Sequence, residues 1–295
     1  MTEQELFTMV GIRPEPAAPK KKVNRLKGFP WISVILMAAI VLCCLSAEVL
    51  MTKDPGYLDI KNFNVAPNAE FLFGTDTLGR DIFSGIWYGG RISVTIGFLA
   101  TIISTFIAVV YGSISGIAPV WLDTLMMRFA EIFLSVPGLL LVLFLQAILG
   151  GANVLTLSIV IGVTSWASIA KVIRTEVRQL RNSEYVVASR CMGGKFFHIL
   201  GKHLAPNFIA AIMFMVVMNV RGAIGAESTL SFMGMGLPLE IISLGSMLSL
   251  SENALLTDSW WIILIPGIFL VTLLICLTNL GNYLRKTANR KESNL

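Results

Sequence analysis

Two ionisable residues lie in an apolar part of this sequence, where a charged side chain needs an ion-pair partner or a functional role. Arg221 lies within the apolar run 208–228, and Glu227 lies near the end of the same run. An arginine at the centre of a bilayer costs about 2.5–3.5 kcal/mol on insertion scales. Two interpretations of Arg221 stay open: it pairs or snorkels as a structural residue, or it meets an anionic group in an aqueous path. We take Arg221 and Glu227 as candidate residues of such a path.

Residue patterns for catalysis, nucleotide binding or metal binding are missing from the sequence. The stretch Gly193-Gly194-Lys195 is followed by Phe196, where a phosphate-binding loop has Ser or Thr. The two histidines, His198 and His203, have no carboxylate or thiolate partner at metal-ligand spacing, and the four cysteines form no metal-spaced set. We therefore predict no catalytic residue, no metal site and no cofactor bound by this chain.

The elements that carry these residues are predicted to be membrane helices, because the composition excludes a soluble globular domain. Of 295 residues, 55% are hydrophobic and 14% are charged, with a mean hydropathy of +0.75. Soluble domains carry roughly 25% charged residues. The apolar residues gather into runs long enough to cross a bilayer as helices, at 31–52, 92–118, 125–149, 154–170, 208–228 and 260–281. We predict an all-α integral membrane protein with six transmembrane helices.

The distribution of Lys and Arg predicts the orientation of these helices. Most of the 23 basic residues fall before Gly28, in 171–202 and in 285–291, which share one side of a six-helix topology. Cytoplasmic loops carry the excess of Lys and Arg, so both termini are predicted to be cytoplasmic. The net charge of +5 is then explained by the membrane topology and does not indicate nucleic-acid binding. A cleaved signal peptide is the competing interpretation of the first run, which the length of that run disfavours.

The boundaries of the runs divide the chain into predicted segments. In order, these are a cytoplasmic tail (1–28), the first transmembrane helix (29–52), an extracytoplasmic loop (53–91), a core of five transmembrane helices (92–282) and a second cytoplasmic tail (283–295). A cytoplasmic loop interrupts the core at about 180–206. The short apolar stretch 241–250 is too brief to span and suits a re-entrant or surface helix buried in protein.

The cytoplasmic loop has the pattern of two short helices joined by a reversal. Asn182 or Ser183 can cap a helix that carries Glu184 in its first turn. Gly193-Gly194 permits a sharp turn, and Pro206 is expected to end the second helix. A helix pair that projects from the membrane is typical of a docking site for another protein. A plain amphipathic connector at the membrane surface is the alternative.

This loop resembles the EAA loop of the membrane subunits of ATP-binding-cassette (ABC) importers. That loop has the form E-A-A-x-x-x-G, followed by an apolar stretch and L-P. Here Val187 replaces the glutamate and Ser189 the second alanine, while Gly193 is retained. The resemblance implies a contact with ATPase subunits for Glu184, Tyr185, Val186, Ala188, Ser189, Arg190, Gly193 and Gly194.

The segment before the second apolar run carries a more specific resemblance. Residues 73–84, F-G-T-D-T-L-G-R-D-I-F-S, and 88–93, Y-G-G-R-I-S, resemble a signature of the peptide/nickel permease family, in particular its second, C-type permease subunit. Asp123, Pro137 and the stretch 226–236 match the same family in the same order. The candidate site residues of this signature are Gly74, Thr75, Asp76, Gly79, Arg80, Asp81 and Arg91.

Two roles are open for this signature. Its glycines allow tight turns, and its Asp and Arg side chains can form ion pairs or hydrogen bonds at the level of the lipid headgroups. We expect a rigid lid that braces the helix bundle. Contact with a substrate-binding protein is the alternative.

The resemblance implies the membrane subunit of a type I ABC importer, and not an enzyme. It implies a homologous B-type permease that completes the path, two ATPase subunits that bind ATP and Mg, and an extracytoplasmic substrate-binding protein. Segment 184–194 is then expected to transmit ATPase closure to the helices as a rigid-body movement.

Short peptides are the substrate class that the resemblance favours, carried across a bacterial cytoplasmic membrane. Nickel or metallophore chelates are the alternative within the same family. An ATP-independent secondary transporter is a further alternative, which the small number of ionisable residues within the apolar runs disfavours.

Overall fold

Helices make up the regular structure of the described residues. The computed structural model describes residues 28–238, 240–250 and 258–292, so the predicted tail before Gly28 lies outside these ranges. Within them, the single β-type pairing is an isolated bridge between Thr75 and Asp81. The helices are α1 (Trp31–Leu45), α2 (Ala47–Leu50), α3 (Ile82–Ile117), α4 (Val120–Ser135), α5 (Gly138–Leu149), α6 (Val154–Thr164), α7 (Ala167–Leu180), α8 (Glu184–Cys191), α9 (Phe196–Ile199), α10 (Ala205–Phe232), α11 (Leu244–Ser249) and α12 (Trp261–Glu292).

Helix α3 is the axis on which the other long helices pack. Its buried residues are mostly small, such as Ser93, Gly97, Ala100 and Gly112. Small side chains let helices approach closely in a membrane, where no hydrophobic effect drives one helix against another. Helices α6, α7 and α10 all pack against α3. At about 1.5 Å per residue the 36 residues of α3 span about 54 Å, so its two ends support separate sites.

Every apolar run predicted from the sequence is helical, which confirms the all-α fold. Among the described helices, α3, α10 and α12 are long and apolar enough to cross a membrane, and the number rises to five if each of two bent pairs is one span. The first run is divided at Ser46 into α1, of 15 residues, and the short α2. Helix α1 by itself is shorter than a full span.

Two of the predicted spans are broken and not continuous. Helices α4 and α5 meet at a bend of 92°, and α6 and α7 at a bend of 46°. The first break lies at Pro137, before which Val136 is extended, with φ −91° and ψ 133°. Proline disfavours the helical conformation of the preceding residue and lacks the amide hydrogen that a helix interior needs. Hydropathy averages over such a break, so the run 125–149 did not reveal it.

Two helices extend beyond the apolar runs on which the predicted segment boundaries rest. Helix α3 begins at Ile82, where the Asp81 side chain caps it by accepting a hydrogen bond from the Ser84 amide at 3.0 Å. Arg91 therefore lies in a helix and not in a loop. Helix α12 continues past the predicted boundary at 282 to Glu292, since no proline or glycine follows Gly281 to end it.

The chain enters α10 without the predicted helix end at Pro206. A π-helical turn, Leu200–Leu204, follows α9, and α10 begins at Ala205 with Pro206 in its first turn. Proline fits the first turn of a helix, where its missing amide hydrogen has no intrahelical partner. The π turn changes the hydrogen-bond register just before the proline.

The short apolar stretch 241–250 contains a buried helix, as predicted. Helix α11 is capped by Ser243, whose side chain accepts a hydrogen bond from the Ser246 amide at 3.1 Å. Leu244 in its first turn has no exposed surface. The helix packs against α3, α10 and α12, so its polar ends are satisfied inside the protein.

Candidate functional site

The predicted contact with ATPase subunits, residues 184–194, folds as one helix and a reversal, and is called the coupling segment below. Helix α8 begins after Ser183, whose carbonyl oxygen accepts hydrogen bonds from the amides of Val186 and Val187 at 3.0 Å. Gly193 has φ +84°, a conformation that favours glycine. The amide of Gly194 then donates to the carbonyl of Ser189 at 2.9 Å. The reversal thus lies at the predicted glycine pair.

Helix α8 has an anchored side and an exposed side. Val186 is fully buried in an apolar cluster with side chains of α7 and the start of α10. Ser189 is also buried. Val187, which follows Val186, is 46% exposed, and Met192 is 82% exposed. The exposed residues of the coupling segment include Glu184, Tyr185, Val187, Ala188, Cys191 and Met192.

Residues 74–81, called the signature turn below, lie at the other end of α3. The Asp76 carboxylate accepts hydrogen bonds from the amides of Leu78 and Arg80 at 2.8 Å, and its carbonyl accepts one from Gly79 at 3.1 Å. Burial raises the pKa of Asp76 above its usual value, and the two hydrogen bonds to the carboxylate act in the opposite direction. Asp76 therefore holds the turn closed around its own side chain.

Thr75 ties the signature turn to two distant parts of the chain. Its hydroxyl donates to the carbonyl of Asn62 at 2.6 Å and accepts from the amide of Val65 at 2.8 Å. Its carbonyl accepts from Trp261 Nε1 at 3.2 Å, which connects the turn to α12. The Thr75 side chain is fully buried, so these contacts belong to the interior of this chain.

Asp81 and Arg91 extend these connections to the segment after α1. The Asp81 carboxylate, besides capping α3, accepts a hydrogen bond from the Thr52 hydroxyl at 3.1 Å. Arg91 pairs with Glu48 at 3.0 Å and lies over the ring of Tyr88. Both residues of the signature are engaged within the chain, an arrangement that suits the bracing role.

The two candidate path residues lie in different surroundings on α10. Arg221 is exposed and forms no hydrogen bond or ion pair with a residue of the described ranges, and there is open space at Gly222 beside it. Glu227 is fully buried and accepts hydrogen bonds from Ser93 at 2.8 Å and Ser231 at 2.9 Å. In this conformation only Arg221 of the pair faces an open surface.

A partly buried charge cluster near the coupling segment was not predicted. Asp123 of α4 accepts a hydrogen bond from Ser115 of α3 and forms ion pairs with Arg174 and Arg178 of α7. The two arginines lie one helical turn apart, a spacing that the sequence shows. Nothing in the local sequence shows that their partner lies 51 residues from Arg174. The serines around Glu227 were missed for the same reason.

Most of the chain is similar to membrane proteins of one family. Residues 108–290 match the family model described as "binding-protein-dependent transport system inner membrane component". The chain is 37% identical over 228 residues to the dipeptide transport system permease protein DppC of Bacillus subtilis strain 168, covering 77% of this chain and 71% of that protein. It is 36% identical over 242 residues to the oligopeptide transport system permease protein OppC of the same strain, covering 82% and 79%.

The helical arrangement is also similar to that of a solved structure. A chain of the MetNI methionine ABC transporter, in an inward-facing conformation, superposes with a TM-score of 0.54 over 69% of this chain and 96% of that chain. The sequence identity is 17%, so this similarity concerns the fold alone.

Proposed function

The chain belongs to the family of binding-protein-dependent transport system inner membrane components, and from this premise we propose that it imports short peptides. It has the type I ABC importer permease fold and is a membrane-spanning permease subunit, while ATP hydrolysis belongs to partner ATPases. The peptide assignment rests on the similarity to two peptide permeases over most of the chain. Di- and oligopeptides are the proposed cargo.

The proposed assembly contains three kinds of partner protein. A homologous B-type permease completes the translocation path, two ATPase subunits contact the coupling segments, and an extracytoplasmic protein delivers the peptide. The chain lies in the bacterial cytoplasmic membrane with both termini inside. The apolar side chains of Val187 on α8 and of Met192 just after it support the proposed ATPase contact, because they are 46% and 82% exposed.

Uptake by the reconstituted assembly tests the proposed function. The chain, its partner permease and two ATPase subunits are placed in liposomes with the binding protein outside and ATP inside. Labelled di- to hexapeptides are expected to accumulate only when ATP is present. Accumulation of a nickel chelate in place of every peptide would overturn the peptide assignment, and ATP-independent uptake would overturn the importer assignment.

Replacing Val187 with aspartate is expected to weaken ATPase association by about tenfold or more, because a charge would enter an apolar contact. Membrane insertion and folding should persist, since Val187 is 46% exposed in this chain. The measurement is co-purification of the ATPase subunits with the permease pair. Leu58→Asp is the matched control, because Leu58 is 52% exposed in the segment before the signature turn. Equal ATPase recovery for both variants would contradict the prediction.

Replacing Arg221 with alanine is expected to lower peptide uptake by about tenfold, the effect of losing one charge-assisted hydrogen bond to a carboxylate. ATPase association should not change, because Arg221 is far along α10 from the coupling segment. Arg221→Lys retains the charge and should recover part of the uptake. Wild-type uptake by the alanine variant would remove Arg221 from the proposed path.

A further inference from the structure

Three helices meet at the carboxylate of Asp123, near the coupling segment. Asp123 lies in the first turn of α4 and is 2% exposed. It accepts a hydrogen bond from Ser115 of α3 at 2.6 Å and one from Arg174 Nε of α7 at 2.7 Å. A second nitrogen of Arg174 and the Arg178 guanidinium, at 2.6 Å, contact its other oxygen. The side chain thus connects α3, α4 and α7 in one cluster.

The cluster is built around the carboxylate and is not an incidental surface pair. The side chains of Arg174 and Arg178 are 27% and 36% exposed, so both cations are partly removed from water. Arg174 contacts the carboxylate through two nitrogens, the geometry in which guanidinium and carboxylate match best. A buried charge that loses its partner is strongly unfavourable, so the three side chains depend on one another.

Helix α7 and the coupling segment form one mechanical unit. A short turn joins Leu180 to Glu184, and Val186 of α8 packs into the same apolar cluster as Ile173 and Val177 of α7. Helix α7 in turn lies against α3 so closely that a Cβ added at Gly112 would be 2.6 Å from the carbonyl of Ala170. A movement of α8 therefore carries α7 with it.

Helix α4 has only a small apolar contact with this unit: Ala130 lies in the same apolar cluster as Ile173 and Val177, and the ring of Phe133 lies 5.4 Å from that of Trp166, just before α7. Its buried residues are Asp123, Met127 and Ala130, and much of its remaining surface is exposed. The ion pairs of Asp123 are its strongest specific connection to α7, and the Ser115 hydrogen bond is one to α3. Without them, only the small apolar contact and the exposed Glu131–Lys171 pair would hold α4 against α7.

We infer that Asp123 is a positioning residue that makes α4 follow α7 when the coupling segment moves, so that ATPase closure reaches α3 and α4 together. This inference rests on the proposed function. It assigns Asp123 no contact with peptide or ATP. Its consequence is that breaking the cluster uncouples ATP hydrolysis from import while leaving the docking side of α8 intact.

The test is the amount of peptide imported per ATP hydrolysed by the reconstituted assembly, with a labelled peptide that the wild type imports. Asp123→Asn is expected to lower this ratio roughly fivefold, the scale on which coupling residues act. The concentration of loaded binding protein that gives half-maximal uptake should stay within about twofold, because the outer docking surface is unchanged. Asp123→Glu retains the charge and should recover at least half of the ratio.

Two further variants complete the test. Glu131→Gln is the matched control, because it removes the other ion pair between α4 and α7, Glu131–Lys171, whose side chains are 45% and 38% exposed. Exposed pairs contribute little, so its ratio should equal that of the wild type. Arg178→Gln removes one cation and should give an intermediate ratio even if Asp123→Asn does not assemble. A wild-type ratio in every assembled Asp123 and Arg178 variant, or no recovery by Asp123→Glu, would overturn the inference. Absence of import by the wild type would instead overturn the proposed function.

Discussion

Replacing Gly79 with alanine is expected to disrupt the signature turn and to lower the free energy of unfolding by at least about 3 kcal/mol. Gly79 has φ +73°, and a Cβ built on it would lie 1.9 Å from the carbonyl oxygen of Asp59. A backbone carbonyl cannot rotate away as a flexible side chain can. The alanine must therefore displace the segment around Asp59 or abandon the turn.

The effect should extend beyond Gly79 because the signature turn connects several elements. The Asp76 carboxylate accepts hydrogen bonds from the amides of Leu78 and Arg80 only while the turn is closed. The carbonyl oxygen of Thr75, the residue before Asp76, accepts a hydrogen bond from Trp261 Nε1 of α12. Opening the turn would leave these buried polar groups without partners, and each such group costs about 1–3 kcal/mol.

Thermal unfolding of the detergent-solubilised protein measures this effect. Gly56→Ala is the matched control, since Gly56 lies in the same segment, has no positive φ, and its added Cβ would meet its nearest neighbour at 3.4 Å. The control should unfold like the wild type, while Gly79→Ala should unfold at a clearly lower temperature or fail to accumulate in the membrane. Identical unfolding of both variants would show that the turn can relax without loss.

Replacing Glu227 with alanine is expected to destabilise the protein by about 2–4 kcal/mol. The Glu227 side chain is fully buried and accepts hydrogen bonds from Ser93 of α3 and Ser231 of α10. The Ser93 hydroxyl also accepts the amide hydrogen of Leu244, at the start of α11. Truncation leaves a cavity and unpaired hydroxyls where three helices meet.

Glu227→Gln separates the shape of this side chain from its charge. The amide oxygen can still accept a hydrogen bond, and a serine hydroxyl can rotate to accept from the amide nitrogen. We expect the glutamine variant to unfold closer to the wild type than the alanine variant does. Glu240→Ala is the control, because Glu240 is exposed after the same helix. A Glu227→Ala protein as stable as this control would contradict the structural role of the buried carboxyl group.

The positions of helices and motifs were predictable because the signals that specify them are local. Each apolar run is helical, although three of the runs are divided into two helices. Gly193 has the positive φ that the predicted reversal needs, and the stretch 241–250 contains a short buried helix. Pro137 was visible in the sequence, but the 92° bend that follows it depends on how α4 and α5 pack. Helix ends were missed where polar residues continue a helix beyond its apolar run, as at Ile82.

By itself the sequence determined the helical membrane class, the order of the segments and the two motif regions. Only the tertiary structure decided which side chains face inward: Val186 is buried while Val187 is exposed, and Glu227 is enclosed while Arg221 is open. The ion pairs of Asp123 with α7 could likewise not be predicted from the sequence. Hydropathy and helix-forming signals act over a few residues, whereas burial and ion pairing depend on neighbours brought close only when helices pack.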